Sequence, residues 1–302
     1  MIVTVYDDRD RLLTFPAIPK RVVSLVPSDT FTLAALGCGE ALVGRTDYCE
    51  LPADLVAKVP SIGGTKNPRV DDILALSPDL VLANQEENTK GDLEALVQAG
   101  VRVFLAFPKR MADGLSLIAR YARVFRVESD PRVRDLLKRG YAAIREAEAH
   151  RSQTIPLRTF CPIWMKPLMT VNGDTFMSDM LDLAGAANVF ADRERRYPLA
   201  ADLGKAKPLE NAAVGGRDTR YPRVTLEEVA LRAPELVILP DEPHPFTEAD
   251  AAVFRDLPIP AASRGAIVPT GGKDICWYGA YSVEGLPRLC ALVKSVRAKN
   301  VS

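Results

Sequence analysis

Histidine is nearly missing from this chain. Only His150 and His244 occur among 302 residues, too few for a zinc or manganese centre built on several imidazoles. Cysteine is sparse as well: Cys38, Cys49, Cys161, Cys276 and Cys290 are odd in number, scattered and never spaced as CxxC. That argues against a zinc ribbon and a disulfide framework, and for buried thiols. Net charge is absent, because 39 basic and 39 acidic residues cancel. No global field therefore draws the chain to nucleic acid or to an acidic membrane surface. No apolar run approaches the ~18 residues of a membrane span. The opening stretch, Met1 to Phe15, lacks the basic region, apolar core and small-residue cleavage site of a secretory signal. As written, this places the protein in the cytoplasm; removal of a leader would place it in the periplasm or otherwise outside the cytoplasm.

What is present is an organising helix near the midpoint. Asp130 suits an N-cap, Pro131 the first helical position, and Val133, Leu136, Leu137, Gly140, Tyr141, Ile144 and Ala147 recur on one face. The pattern predicts a rod over 130–151, roughly 30 Å long at about 1.5 Å per residue. Strand and helix patterns alternate on both sides of it. Strands are expected at Arg21–Pro27, Ala41–Val43, Asp79–Ala83 and Val101–Leu105, then at Arg158–Cys161, Leu168–Val171, Glu235–Leu239 and Ala266–Val268. Helices are expected at Phe31–Leu36 (capped by Ser28-Asp29-Thr30), Asp71–Leu76, Asp92–Ala99, Leu115–Val127, Met177–Leu183 and Val283–Val296. Alternation of this kind implies parallel sheets with right-handed crossovers. The fold class is α/β: two Rossmann-like lobes with mainly parallel sheets, 1–129 and 152–302, joined by the one long α-helix 130–151.

The lobes repeat one another. Val70-Asp71-Asp72-Ile73 followed by Ser77-Pro78-Asp79-Leu80-Val81-Leu82 returns 156 positions later as Leu226-Glu227-Glu228-Val229 and Ala233-Pro234-Glu235-Leu236-Val237-Ile238. A period of half the chain means two similar lobes, not a solenoid. Lys205 to Arg223 breaks the plan; its glycines, prolines and charges have no period and predict a long loop, a class that is often functional.

Open parallel sheets bind ligands beyond the carboxyl ends of their strands, so the loops after strands are the candidates. They carry Tyr48, Trp164, Trp277 and Tyr278, flat faces with a polar edge that suit a large planar or amphipathic ligand. Both tryptophans of the chain fall in these loops, where plugging a lobe core is the plainer alternative. Lys66, Lys166 and Lys273 can meet carboxylates or phosphates. Asn84 to Asn88 is polar directly after a buried strand, and either orders the cleft floor, accepts from a ligand (Glu86 being the candidate) or caps the next helix. Gly63-Gly64-Thr65-Lys66 lacks the full phosphate-loop pattern and a helix opening at the lysine. Cys49 with Glu50, or His244 with Asp241, has no third group spaced to complete a triad, so no catalytic residue is assigned. His244, between Pro243 and Pro245, reads as a rigid-loop surface residue, not a metal ligand, and no metal site is expected.

The runs RVVSLVPS, LGCGEALVG, ILALSPDLVLAN and GVRVFLAFP, with LDLAGAANVF and APELVIL later, resemble the helical-backbone class (class III) of ABC-importer substrate-binding proteins. The details GGTKNP, NQEEN and WYG look closest to a signal-less branch of the cobalamin-binding, metal-receptor-like type. The resemblance implies a cleft between two lobes that holds a corrinoid, with a ferric siderophore or haem as alternative ligands. Tyr48, Lys66, Glu86, Trp164, Lys166, Trp277 and Tyr278 are the ligand-binding candidates it leaves. It also implies one acidic residue per lobe that docks on an ABC importer permease, and Asp71 and Glu227 fall at those positions; first-turn acids favoured by the helix dipole are the plain alternative. The chain departs from cobalamin importers where Gly63-Gly64 replaces an expected aromatic and where 205–223 is expanded. The expectation is a monomeric binder of a metal chelate with no intrinsic cofactor and no nucleic-acid partner. Its rivals are a thiol-dependent enzyme using Cys49 and a cytoplasmic regulator that kept the fold without the importer.

Overall fold

In the computed structural model, which describes residues 2–210 and 214–299, two compact units divide the chain. One comprises Met1–Ala142 with Trp277–Val283, the other Ala143–Cys276 with Glu284–Ser302. The division falls inside one unbroken helix, Pro131–Arg151. The return of Trp277–Val283 to the first unit has no signal in the sequence.

In the first unit β1 (Val3–Tyr6) and β2 (Leu12–Phe15) form an antiparallel hairpin. Strands β3 (Val22–Ser24), β4 (Leu42–Arg45), β5 (Leu80–Asn84) and β6 (Val103–Ala106) form a parallel sheet in the order β4-β3-β5-β6. All five residues of β5 are buried, as befits an apolar run covered on both faces. Helices α1 (Pro27–Ala35), α2 (Val70–Ala75), α3 (Lys90–Gln98), α4 (Met111–Phe125) and α5 (Pro131–Arg151) complete the described helices labelled here. The core joins Val23, Leu25, Ile62, Ile73, Val81 and Leu96.

The second unit repeats this order. Strands β7 (Leu157–Phe160), β8 (Pro162–Met165), β9 (Leu168–Thr170), β10 (Ala186–Asn188), β11 (Leu236–Pro240) and β12 (Ile267–Thr270) give a parallel sheet β10-β7-β11-β12 and an antiparallel hairpin β8/β9. Helices α6 (Phe176–Leu183), α7 (Leu226–Arg232), α8 (Glu248–Arg255) and α9 (Ser282–Lys299) accompany it.

The internal repeat holds at the level of single residues. Strands β5 and β11 begin 156 positions apart, as do α2 and α7. Between helix and strand, Ser77 (φ 46°) and its counterpart Ala233 (φ 43°) both take the left-handed conformation, uncommon for residues with a side chain. Each turn is closed by an acid. Asp79 accepts from the backbone N–H groups of Lys20 and Arg21 at 2.8 and 3.1 Å, and Glu235 accepts from that of Arg158 at 3.1 Å. The guanidinium groups of Arg21 and Arg158 then donate to the carbonyls of Leu76 and Arg232, acceptors that are themselves 156 positions apart.

Four local expectations are corrected. The strand expected over Arg21–Pro27 stops at Ser24, because Pro27, lacking an N–H, occupies the start of α1. Ser28, Asp29 and Thr30 therefore lie inside the first helical turn and do not cap it. Pro162–Met165, expected as part of a loop, is β8, held by its hairpin partner β9. The β1/β2 hairpin was not expected from the sequence: its outward faces are exposed, and its strands are too short for a strong alternation. Of the long loop 205–223, residues 205–210 and 215–223 are irregular, as expected; 211–213 lie outside the described residues.

Candidate functional site

The strand-end loops of the first unit are stitched together by polar contacts. After β4, the Asp47 N–H donates to the Gly63 carbonyl at 2.9 Å, and the Ser61 hydroxyl donates to the Asp47 carboxylate. That ties the Tyr48 turn to the 61–68 loop. A methyl group on Gly64 would run into Asn67 Oδ1 and touch the Tyr48 ring at 3.6 Å, so Gly64 packs directly between this ring and the 61–68 loop. Tyr48 itself is 61% exposed, a large amphipathic face turned to solvent.

After β5, Asn84 Oδ1 accepts from the N–H groups of Glu86 (2.7 Å) and Glu87 (3.2 Å), and Asn88 Oδ1 accepts from the Asn84 N–H at 2.8 Å. Asn88 Nδ2 donates to the carbonyls of Thr65 (2.9 Å) and Leu25 (3.3 Å). The polar run is thus a braced turn that fastens the 61–68 loop to the sheet. The cap of α3 is supplied instead by Thr89, whose hydroxyl accepts from the Asp92 N–H at 3.3 Å. Lys66 donates to the Glu86 carbonyl. Tyr48, Lys66 and Glu86, three of the candidates, are therefore neighbours through this loop.

Trp277 and Tyr278 are placed differently. Each is 5% exposed. Trp277 packs edge-on against Tyr281 (ring centroids 5.2 Å) and Phe31 (6.4 Å). Tyr278 donates to Asp29 Oδ2 at 3.2 Å, and Tyr121 donates to Oδ1 at 3.1 Å. Asp29 is fully buried, and burial pushes its carboxyl up to about 7, against the lowering effect of the two tyrosine bonds. The same burial raises both phenols well above their usual range.

In the second unit Trp164, 43% exposed, projects from β8, and its Nε1 donates to the Lys166 carbonyl at 3.1 Å. Its ring meets His244 at 5.2 Å, and His244 meets Phe246 at 4.7 Å edge-on. His244, read from the sequence as a lone rigid-loop residue, is thus the middle of an aromatic row, and Phe246 was missed altogether. The motif HPF after β11 was the available signal. Lys166 is exposed. Lys273 lies 3.5 Å from Glu242, whose carboxyl is raised by burial and held back by that lysine.

Asp71 and Glu227 are both exposed in the first turns of α2 and α7. The backbone and the Thr225 hydroxyl hold Glu227 below the usual carboxylate range. Cys49 is 2% exposed, between the hydroxyls of Thr30 (3.1 Å) and Thr46 (3.2 Å), and burial pushes its thiol up. A nucleophilic cysteine needs the opposite shift. Among the described residues no group of three or more His, Cys, Asp or Glu could hold a metal ion, and no helix is long and apolar enough to cross a membrane.

Two parallel-sheet units related by an internal repeat, with exposed aromatic faces at Tyr48 on the turn after β4 and at Trp164 on the β8/β9 hairpin, have the build of a substrate-binding protein. A family model described as periplasmic binding protein matches residues 22–241, and the chain belongs to that family. Over 232 residues it is 30% identical to the vitamin B12-binding protein of Yersinia pestis (strain Pestoides F), an alignment covering 76% of this chain and 72% of that protein. Among solved structures, the periplasmic vitamin B12 binding protein BtuF of Vibrio cholerae matches with a TM-score of 0.72 at 18% identity, over 93% of this chain and 99% of that one. The periplasmic heme-binding protein RhuT from Roseiflexus sp. RS-1, in apo form, matches with a TM-score of 0.70 at 18% identity, over 92% and 98%. The resemblance to the helical-backbone class read from the sequence is thereby established, and with it a substrate-binding protein of ABC transport.

Proposed function

We propose that this protein binds a metal chelate, a corrinoid in the first instance, and presents it to an ABC importer permease without transforming it. The observation that carries this reading is the 30% identity to vitamin B12-binding proteins over three quarters of the chain. Tyr48, on the turn after β4, and Trp164, on the β8/β9 hairpin, support it: each is a large aromatic left exposed, the surface a corrin or porphyrin face would cover. Lys66, Glu86 and Lys166 would engage the polar edge. Trp277 and Tyr278 are buried, their side chains engaged within the first unit. Haem and ferric siderophores are the alternative ligands. Asp71 and Glu227, exposed and equivalent by the repeat, would dock on the permease. The buried, raised thiol of Cys49 speaks against the thiol-dependent enzyme. Membership in a family of periplasmic binding proteins favours action outside the cytoplasm over the cytoplasmic reading.

The test is titration of the purified chain with cobalamin, cobinamide, haem and a ferric siderophore, followed by tryptophan fluorescence and visible absorbance. Saturable quenching by one chelate, weakened at least tenfold in Tyr48→Ala or Trp164→Ala, is expected. No response to any chelate would refute the proposal.

A further inference from the structure

The expanded segment of the second unit bounds a cavity of about 590 Å³, lined by Arg193, Arg195, Arg196, Tyr197, Glu228 and Arg232 among others. Its arginines fall into two groups. Arg193 is buried and bonded to Asp202 (3.1 Å) and Glu228 (3.0 Å); Arg232 meets Asp192 at 2.5 Å and Glu228 at 3.8 Å. Nearby Arg220 holds Asp218 at 2.6 Å. These cations are neutralised by the segment's own acids.

Arg195, Arg217 and Arg223 lack such direct pairs, although the charge of Arg195 reaches Asp218 and that of Asp202 reaches Arg223. Among the described residues none of the three has a carboxylate within ion-pair distance. The guanidinium groups of Arg195 and Arg217 instead both lie over the single ring of Tyr197, at 4.6 and 5.2 Å from its centroid. Nε of Arg195, and Nε and Nη1 of Arg223, are buried without a hydrogen-bond partner. Burial and the charge of Arg195 lower the Arg223 pKa, against the opposing effects of Asp202 and Tyr197. Glu194 is the one carboxylate lining the cavity without a bonded arginine among the described residues.

Such an arrangement is costly by itself. Buried guanidinium donors left unpaired are costly, and like charges brought together add to that. An oxyanion supplies what is missing, because guanidinium forks match carboxylate and phosphate oxygens in geometry as well as charge. We propose that the cluster of Arg195, Arg217 and Arg223 around Tyr197, which meets this cavity through Arg195 and Tyr197, is a binding site for a small, multiply charged oxyanion, a polycarboxylate or a phosphate. The site lies wholly in the second unit and does not rest on the chelate reading.

Calorimetric titration of the full chain with citrate and with inorganic phosphate, against chloride at equal ionic strength, tests it. Saturable binding of at least one is expected, weakened tenfold or more in Arg195→Gln/Arg217→Gln and at least threefold in Arg217→Gln alone, which changes only an exposed side chain. Citrate alone binding identifies a carboxylate ligand; phosphate alone identifies a phosphate. The proposal fails if neither anion exceeds the chloride control, or if the double variant, still folded by circular dichroism, binds as the parent does. Because chelate binding is measured separately, failure here leaves that reading untouched, and the reverse also holds.

Discussion

Replacing Asp29 by asparagine should stabilise the first unit at alkaline pH while leaving it nearly unchanged at acidic pH. Asp29 is wholly buried, accepts from Tyr121 and Tyr278, and feels the charge of Asp8, while Arg120 and Glu87 act on the two tyrosines. Burial raises its carboxyl to about 7, against about 4 for an unfolded aspartate. The folded state therefore holds a proton between these values that the unfolded state has lost. Stability is highest below about pH 4, falls as pH rises to about 7, and stays reduced above it. Three units at about 1.4 kcal/mol each give a cost on the order of 4 kcal/mol above pH 7. Asparagine mimics the neutral acid, keeps an acceptor for one tyrosine and offers a donor to the other. In a Trp164→Phe background Trp277 is the single remaining tryptophan and reports this unit alone. Urea unfolding at pH 4 and pH 8.5 should then show parent and Asp29→Asn within about 1 kcal/mol at the lower pH and the variant ahead by about 2–4 kcal/mol at the higher. A parent midpoint independent of pH, or an asparagine variant weakened equally at both, would mean that the carboxylate is ionised and that its tyrosine bonds outweigh burial.

Three further outcomes are expected. Asp202→Asn should destabilise the second unit by about 3–5 kcal/mol in denaturant unfolding, since the carboxylate is fully buried against Arg193 and also accepts from the N–H groups of Arg196 and Arg223. Gly114→Ala should cost about 1–3 kcal/mol in thermal melting, because a Cβ there would lie 2.9 Å from the backbone nitrogen of Gly279, which has no flexible side chain to give way. Charge reversal at Asp71 and Glu227 should leave chelate affinity within twofold and abolish uptake in a reconstituted importer; uptake at the parental rate would remove their docking role.

Much of the fold was legible because the two units obey one pattern. The 156-residue repeat, read from acids, prolines and β-branched runs, reappears as α2–β5 and α7–β11 in register, down to the left-handed Ser77 and Ala233. Helix α5 was legible from its own face and caps. The site was less so, because its determinants are long-range. Nothing near Asp29 announces that its partners lie 92 and 249 positions away, or that Trp277 and Tyr278 pack back into the first unit. Tyr48 could be placed on a loop and Trp164 was expected on one but lies in β8; the exposure of both depends on neighbours the sequence does not order. The ion pairs of 192–232 join residues whose spacing has no period, so the arginines left unpaired could not be told from those neutralised.

The most direct measurement is equilibrium dialysis of the full chain against cobinamide, cobalamin and haem, with the bound chelate recovered and identified by mass spectrometry. The account predicts saturation at one chelate per chain for at least one of them, recovered chemically unchanged. Retention of none above the free concentration, or recovery of an altered chelate, would contradict it.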